Sequence, residues 1–237
     1  MSTPTADRDA AAAATHALLD AAWASWGTPE PHVLSHLVNP MFMGGPRWPG
    51  TRQAYRVARR GAEVLIASDG LADPYEVDDG PVDQNGIGLE VFAITDDLVS
   101  RADATDPVTA VGGTWLHDLV FQTAQLAADH GGVGPLLDEL GAITTELHGV
   151  NIPEAHAARF INDEGRATVL LTPAQPPLPA RLAGPRSTIR LVHVQLLTTD
   201  ELAFVMAGGG RARATLVERL RAQGVAPRSR LDRPSVA

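Results

Sequence analysis

The chain of 237 residues contains no cysteine and no lysine. Without cysteine it cannot form disulfide bonds, Cys-based zinc sites or a thiol nucleophile. All 19 basic residues are therefore arginines, which excludes a Schiff-base lysine and the lysine of a phosphate-binding P-loop. These two absences remove several classes of enzyme from consideration.

Long apolar runs and targeting signals are also lacking. No run of 18 apolar residues occurs, so the sequence predicts no membrane span. The alanine-rich segment 1–26 carries Asp7, Asp9 and Asp20 and has no basic start followed by an apolar core. We therefore expect a cytoplasmic location. The net charge of −9 and the pI of about 5.3 disfavour nucleic acid and anionic membranes as partners, because both bind basic surfaces.

The composition that remains is that of an ordinary globular protein. Hydrophobic residues make up 44% of the chain and the mean hydropathy is −0.03, so 237 residues can bury a sizeable core. Paired strands with irregularly interspersed helices predict an α+β fold with a mixed, largely antiparallel twisted sheet packed by several helices. We expect an N-terminal helical extension at 1–27, a single domain at 28–224 and a disordered tail at 225–237.

Local patterns predict the individual elements. Thr114 is the predicted N-cap of one helix, and Thr198 with Glu201 forms a capping-box pattern that opens another. Segment 52–60 fits either a strand or a short helix. The predicted strands are 32–40, 62–70, 86–95, 142–148, 166–172 and 187–198, and the predicted helices are 9–26, 115–130, a short piece near 135–140, 200–207 and 211–224.

An acidic, glycine- and proline-rich stretch joins two of the predicted strands. It runs from Ile66 to Ile94. Six acidic residues lie in the connection, Asp69, Asp73, Glu76, Asp78, Asp79 and Asp83, and a seventh, Glu90, lies in the second strand. Such a loop can be a solvated turn, a metal site, a catalytic carboxylate pair or one edge of a binding groove.

The patterns for metal and cofactor sites are weak. His32 and His36 have the spacing of metal ligands on a helix, but on the predicted strand they lie about 13 Å apart. The acidic stretch does not follow the spacing of an EF-hand loop. Gly208–Gly210 matches neither common phosphate-binding motif and is better explained as a hinge between two helices. We expect no cofactor and no metal.

A catalytic site is not indicated either. The G-x-S-x-G nucleophile elbow of Ser-His-Asp hydrolases is absent. Asp78 and Asp79 are adjacent, and adjacent side chains on an extended chain point apart, which suits paired acid–base catalysis badly. We therefore expect a protein that is not an enzyme.

Three stretches resemble the suppressor of fused domain family. The stretch SDGLADPYEVDDGPVDQNGIGLEV (68–91) is similar to that family's strand, tyrosine-containing turn, Asp-Gly-Pro loop and Gly-Phe-Gly-Phe-Glu-Leu strand. TWLHDLVFQTAQLA (114–127) resembles the tryptophan-led helix that follows. VHVQLLTTDELAFVMAGGGRARATLVERLR (192–221) resembles the late strand, turn and final helix. Order and spacing agree over about residues 50–224.

The resemblance implies a site. In the animal proteins of the family, the domain binds an extended peptide as an added strand in a groove. Tyr75 matches the turn tyrosine and Asp79 the aspartate of the Asp-Gly-Pro loop, and both positions are implicated in peptide contact. We add Asp78, Asp83 and Glu90 as candidate partner-binding residues, with Glu90 either structural or lining the groove. Strand addition gains affinity from main-chain hydrogen bonds and selectivity from flanking side chains.

The chain also departs from the family pattern. Ile87 and Leu89 replace two aromatic residues of the Gly-Phe-Gly-Phe pattern. The animal proteins carry an additional C-terminal domain that 237 residues are too few to include, so their transcription-factor partner does not transfer. The single-domain form resembles bacterial members, which are often suspected to be immunity proteins of polymorphic toxin systems.

These observations favour a non-enzymatic module that binds a protein or peptide partner. The resemblance to bacterial members includes a toxin among the partners to consider. Two alternatives stay open: a metal-dependent or carboxylate-based hydrolase that uses the acidic 69–83 loop, and a scaffold homodimer. The sequence sets neither the partner nor the oligomeric state.

Overall fold

The computed structural model describes residues 4–76, 80–98 and 106–237. Helices and strands are distributed along the whole of this length, without regular alternation. The helices are α1 (Pro4–Trp26), α2 (Trp115–His130), α3 (Val133–Leu140), α4 (Glu154–Phe160) and α5 (Thr199–Ala222). The strands are β1 (Thr28–Ser35), β2 (Ala54–Arg60), β3 (Glu63–Asp69), β4 (Leu89–Thr95), β5 (Ile143–Leu147), β6 (Ala167–Pro173), β7 (Arg181–Ala183) and β8 (Thr188–Leu197).

The eight strands form one mixed sheet in the order β1-β2-β3-β4-β8-β6-β5, with β7 paired to β8. β1 to β4 form a run of antiparallel neighbours, and β8, β6 and β5 form a second antiparallel set. The two sets meet where β4 pairs with β8 in parallel. The expected α+β class with a mixed, largely antiparallel sheet is therefore confirmed.

Both faces of the sheet are covered by helices. β3 shows the arrangement: Val64 and Ile66 contribute to the core on the α2 side, whereas Leu65 and Ala67 contribute to the core under α1. Successive side chains on a strand point to opposite faces, so a strand buried on both sides has an unbroken apolar sequence. α1 covers one end of the second face, and α5 covers the other end through a separate apolar cluster.

Helix boundaries follow the predicted capping residues. The Thr114 side chain accepts a hydrogen bond from the His117 amide, and Thr198 with Glu201 forms the complete capping box at the start of α5. The break predicted at 208–210 appears as a kink inside α5, where Gly209 adopts φ 58°. Segment 52–60 contains a strand, β2, because it pairs along its length with β3.

The expected disorder of 225–237 is wrong. The Ser229 amide donates to the Ile94 carbonyl at 2.8 Å, and the Ser229 hydroxyl accepts from the Leu196 amide at 2.9 Å. This segment therefore lies between the diverging ends of β4 and β8. Arg233 is buried and donates to both carboxylate oxygens of Glu201, at 2.5 and 2.6 Å. The tail sequence is polar, but its polar groups find partners inside the fold.

α1 contributes to the folded core of the protein. Leu19, Trp23 and Trp26 are buried against the sheet, and the ring of Trp23 lies 5.7 Å from that of Phe92. The division into an extension at 1–27 and a domain at 28–224 stays a prediction. None of the helices in the described residues is long and apolar enough to span a membrane.

Candidate functional site

Glu90 is the buried centre of the connection between β3 and β4. Its side chain is 0% exposed, and it accepts hydrogen bonds from the Ser68 hydroxyl and from the amides of Gly70 and Ala72, at 3.1 and 2.9 Å to the amides. Burial, together with the nearby Asp69 charge, raises the pKa of Glu90 to about 8, although the hydrogen bonds oppose the shift. Glu90 therefore orders the turn from within and faces no solvent in this structure.

Two further acidic residues of the stretch are held by side chains of other elements. Asp69 is buried and lies 2.6 Å from a guanidinium nitrogen of Arg52 and 3.6 Å from one of Arg56. Burial raises the pKa of Asp69, while the two arginines act in the opposite direction. Asp73 lies 2.8 Å from the His16 ring of α1. These carboxylates attach the turn to β2 and to α1.

The Glu76 side chain is also engaged in hydrogen bonds within the protein. It accepts hydrogen bonds from the Thr51 amide at 3.0 Å and the Thr51 hydroxyl at 3.1 Å. Among the acidic residues of stretch 66–94 that the structure describes, Asp83 is the one exposed at the surface. Asp78 and Asp79 lie outside the described residues, so their assignment to the site stays a prediction.

Tyr75 lies next to the glycine of the Asp-Gly-Pro sequence. A Cβ atom added to Gly80 would lie 2.5 Å from the Tyr75 ring, so any larger residue would displace the ring. The Tyr75 side chain is partly buried, and this burial raises the pKa of its phenol. The packing of the Tyr75 ring against Gly80 explains why an aromatic residue and a residue without a side chain occur at these two positions.

Asn85 is a structural residue that the sequence reasoning missed. It is fully buried, and its amide group donates to the Thr15 hydroxyl at 2.7 Å and to the Ala72 carbonyl at 3.2 Å. Its side-chain oxygen accepts from the amides of Arg186 and Ser187, at 2.9 and 3.0 Å. One side chain thus joins α1, the β3–β4 turn and the β7–β8 connection. The only local signal was its position before Gly86, which is a common turn pattern.

These contacts leave a groove between the first half of α1 and the 80–85 segment. The groove has a volume of about 550 Å³ and is lined by Asp7, Ala10, Ala11, Ala14, Val82, Asp83, Pro185 and Arg186. Val82 is 78% exposed on its edge. Arg186 pairs with Asp7 at 2.9 Å across one end. The small alanine side chains of α1 keep the groove open and give it an apolar wall.

The histidines considered as metal ligands belong to other surroundings. His36 packs among aromatic rings, with centroids 5.0 Å from Phe121 and 5.9 Å from Tyr55. Burial lowers the pKa of His36, and the neighbouring His117 adds to the shift. Across residues 4–76, 80–98 and 106–237, no group of three or more His, Asp or Glu side chains is placed to hold a metal ion.

The comparison with known proteins defines the fold. No protein-family model and no curated protein matches the chain. Among solved structures, that of the Sufu–Fu complex aligns over 94% of this chain and 92% of its own, with 15% sequence identity and a TM-score of 0.51. Suppressor of Fused from Drosophila aligns over 94% of this chain with 17% identity and a TM-score of 0.50. The chain spans about half the length of that Drosophila protein, 50%.

The architecture is thus that of a single mixed-sheet α+β domain. At these identities the likeness establishes the fold, and the fold is that of a suppressor-of-fused-like domain. The resemblance read from the sequence is confirmed at this level.

Proposed function

We propose that this protein is a non-enzymatic module that binds a protein or peptide partner. The observation that supports this proposal most directly is the groove between α1 and the 80–85 segment, which exposes Val82 and Asp83. An exposed apolar side chain next to a surface carboxylate is a combination suited to partner recognition.

The fold supports the same proposal. One solved structure with this fold is a complex of Sufu with Fu. We transfer from it the general role of protein binding and propose that Tyr75, Asp78, Asp79 and Asp83 contribute to the contact. Glu90 contributes indirectly, because its hydrogen bonds hold the start of the turn at Gly70 and Ala72.

The internal partners of the acidic residues favour binding over catalysis. Asp69, Asp73, Glu76 and Glu90 are each engaged by an arginine, a histidine, a hydroxyl or backbone amides. A carboxylate in such contacts would have to give them up before it could bind a metal or activate water. Metal analysis of the purified protein tests the metal-dependent form of the hydrolase alternative, which requires a stoichiometric ion. Activity screens test the carboxylate-based form, and sedimentation tests the scaffold homodimer.

Strand addition requires a free sheet edge, and the two edges of this sheet differ. β1 contains Pro29 and Pro31, which lack amide hydrogens, and its pairing with β2 is irregular between Pro29 and Val33. β5 has the sequence ITTEL, without proline. We propose β5 as the edge for an added strand. It lies three strand positions from β4, about 14 Å across the sheet.

The partner class that we propose is a basic protein, including a toxin that this chain would neutralise. A net charge of −9 accelerates association with a basic surface and makes the affinity fall with salt. An affinity that does not change with salt would contradict this part of the proposal.

The test is a pull-down from lysate of the source organism, followed by calorimetry with the captured protein. The groove variant combines Val82→Asp with Asp83→Arg. The control combines Met206→Asp with Asp129→Arg, which makes the same types of change at exposed positions on α5 and α2. A partner that binds the wild type and the control but not the groove variant supports the proposed surface. Equal binding to all three proteins places the contact elsewhere, and β5 edge variants such as Thr145→Pro then test strand addition.

A further inference from the structure

A second cavity lies on the sheet face between α1 and α5, away from the groove proposed for the protein partner. Its volume is about 260 Å³. The floor is built by same-face residues of three adjacent strands: Phe92 of β4, His193 and Gln195 of β8, and Leu170 and Thr172 of β6. Phe92 and Thr172 are the register neighbours of His193, and Leu170 is the neighbour of Gln195. The floor is therefore part of the rigid sheet.

The walls are mainly apolar. They come from the end of α1, the end of α5, the loop after β6 and the segment after α5, through Trp26, Val217, Leu220, Pro176, Pro177, Leu178, Ala226 and Pro227. Most of the interior thus favours an apolar molecule, as in typical small-molecule sites.

The floor also contains an acceptor without a partner. Gln195 is 1% exposed, and its amide nitrogen donates to the Arg228 carbonyl and the Ser229 hydroxyl, both at 3.2 Å. The contact with a carbonyl fixes which end of the amide is the nitrogen. The buried Oε1 atom accepts no hydrogen bond from any residue that the structure describes. A buried acceptor in this state is unfavourable, and because Oε1 is covered by the protein, a ligand donor reaches it only if the Gln195 amide turns toward the cavity.

His193 presents a second acceptor. Its Nε2 atom donates to the Pro227 carbonyl at 2.8 Å, so in the neutral ring the lone pair is on Nδ1. Burial, with a smaller contribution from the charge of Arg221, lowers the pKa of His193 to about 4, although the hydrogen bond to the Pro227 carbonyl opposes the shift. The ring is therefore neutral at physiological pH and accepts rather than donates at Nδ1.

Two arginines line the cavity, and their surroundings differ. Arg60 donates to Glu63 at 2.8 Å and lies 4.7 Å from the centre of the Trp26 ring. Arg221 is exposed at the end of α5 and forms no ion pair with any residue in the described part of the chain. Its positive charge is therefore available to an anion at the cavity.

We propose that this cavity binds a small apolar carboxylic acid that also carries an N–H or O–H donor. The apolar body would pack on Phe92, Leu170 and Leu220, the carboxylate would pair with Arg221, and the donor would reach Nδ1 of His193 at the floor, next to Gln195. The volume is slightly below the ~300–1,000 Å³ of sites for drug-sized ligands, which restricts the ligand to roughly one fused or single ring with a short acid chain.

The test uses two probes with this combination of groups, indole-3-acetate and 4-hydroxyphenylacetate. Each is titrated into the whole protein and followed by calorimetry and by amide chemical shifts. The matched probes are 3-methylindole, which lacks the carboxylate, and 1-naphthylacetate, which lacks the donor. We expect saturable binding of at least one acid, with shifts at His193 and Gln195, and about tenfold or greater weakening when either group is missing.

Variants separate the cavity from the rest of the surface. Arg221→Gln is expected to weaken binding of the acids about tenfold or more, whereas Arg211→Gln, on the same helix but outside the cavity, leaves it unchanged. Val217→Trp fills the cavity and should abolish binding, with thermal unfolding showing that the variant is folded. The proposal is overturned if neither acid binds at millimolar concentration, if all four probes bind equally, or if Arg221→Gln binds as the wild type does.

Discussion

The buried carboxyl group of Glu90 predicts an unusual dependence of stability on pH. Glu90→Gln keeps a side-chain oxygen for the amides of Gly70 and Ala72 and places an NH₂ group beside Ser68. The variant cannot ionise. Comparison with the wild type therefore isolates the free energy of the Glu90 titration together with its coupling to Asp69, because groups that do not interact with Glu90 cancel in the difference.

The direction and size follow from the raised pKa. The pKa of Glu90 is about 8 in the folded protein and 4.5 in an unperturbed glutamate. Below pH 4.5 the group is protonated in both states. Between pH 4.5 and 8 the unfolded chain loses a proton that the folded protein keeps, so the wild-type free energy of unfolding falls by up to about 1.4 kcal/mol per pH unit. The complete loss, reached above pH 8, is on the order of 5 kcal/mol.

The assay is urea denaturation of both proteins at pH 5, 6, 7 and 8. We expect the variant to gain stability relative to the wild type by roughly 3–4 kcal/mol across this range. Asp129→Asn, which removes an exposed carboxylate on α2, is the control and should show no such trend. A difference between Glu90→Gln and the wild type that changes by less than about 1 kcal/mol would mean that Glu90 ionises normally in the folded state, and would refute the reasoning.

Three further predictions concern the turn, the tail and the second cavity. Gly80→Ala should displace the Tyr75 ring, since the added Cβ would lie 2.5 Å from it; the test is a shift of the Tyr75 signal, but not of Tyr55, in carbon NMR of labelled tyrosine. Arg233→Met removes the positive partner of the buried Glu201 carboxylate and should lower the free energy of unfolding by about 3–5 kcal/mol. The measurements are the urea midpoint, which should fall, and hydrogen exchange of the tail, which should become faster. An unchanged midpoint would contradict the ion pair. His193 should remain neutral down to about pH 4 in the folded protein. Because the unfolded chain takes up the proton near pH 6.5, the free energy of unfolding should fall as the pH falls from 6.5 to 4. A ring titration near 6.5, observed by NMR, would disprove the burial.

The elements with local signals were predictable from the sequence. Thr114 caps α2 as expected and the helix ends at the predicted residue 130, and the Thr198–Glu201 capping box opens α5. Such signals depend on residues three or four positions apart, which a sequence displays directly. β7 and α4 were not predicted, because β7 has three residues and exists through its pairing with β8.

The candidate site was predictable in part. The acidic stretch was recognised, but the sequence does not show which carboxylates are exposed. The partner of Asp69 is 17 residues away and that of Asp73 is 57 residues away, so their burial depends on tertiary packing. Asp83 is at the surface and lines the groove, Tyr75 is partly buried, and Glu90 is internal.

The segment between β4 and β8 has a consequence for how the protein folds. β1 to β4 pair with their sequence neighbours and can form by local hairpins. The other contacts of β4 are distant in sequence. Arg230 and Asp96, which pair close to the point where β4 and β8 diverge, are 134 residues apart. Closing so long a loop is slow, because the chain entropy is lost before the contact is gained. We therefore expect the β1–β4 unit to form early and the middle of the sheet to be completed last, at the seam where the 225–237 segment enters.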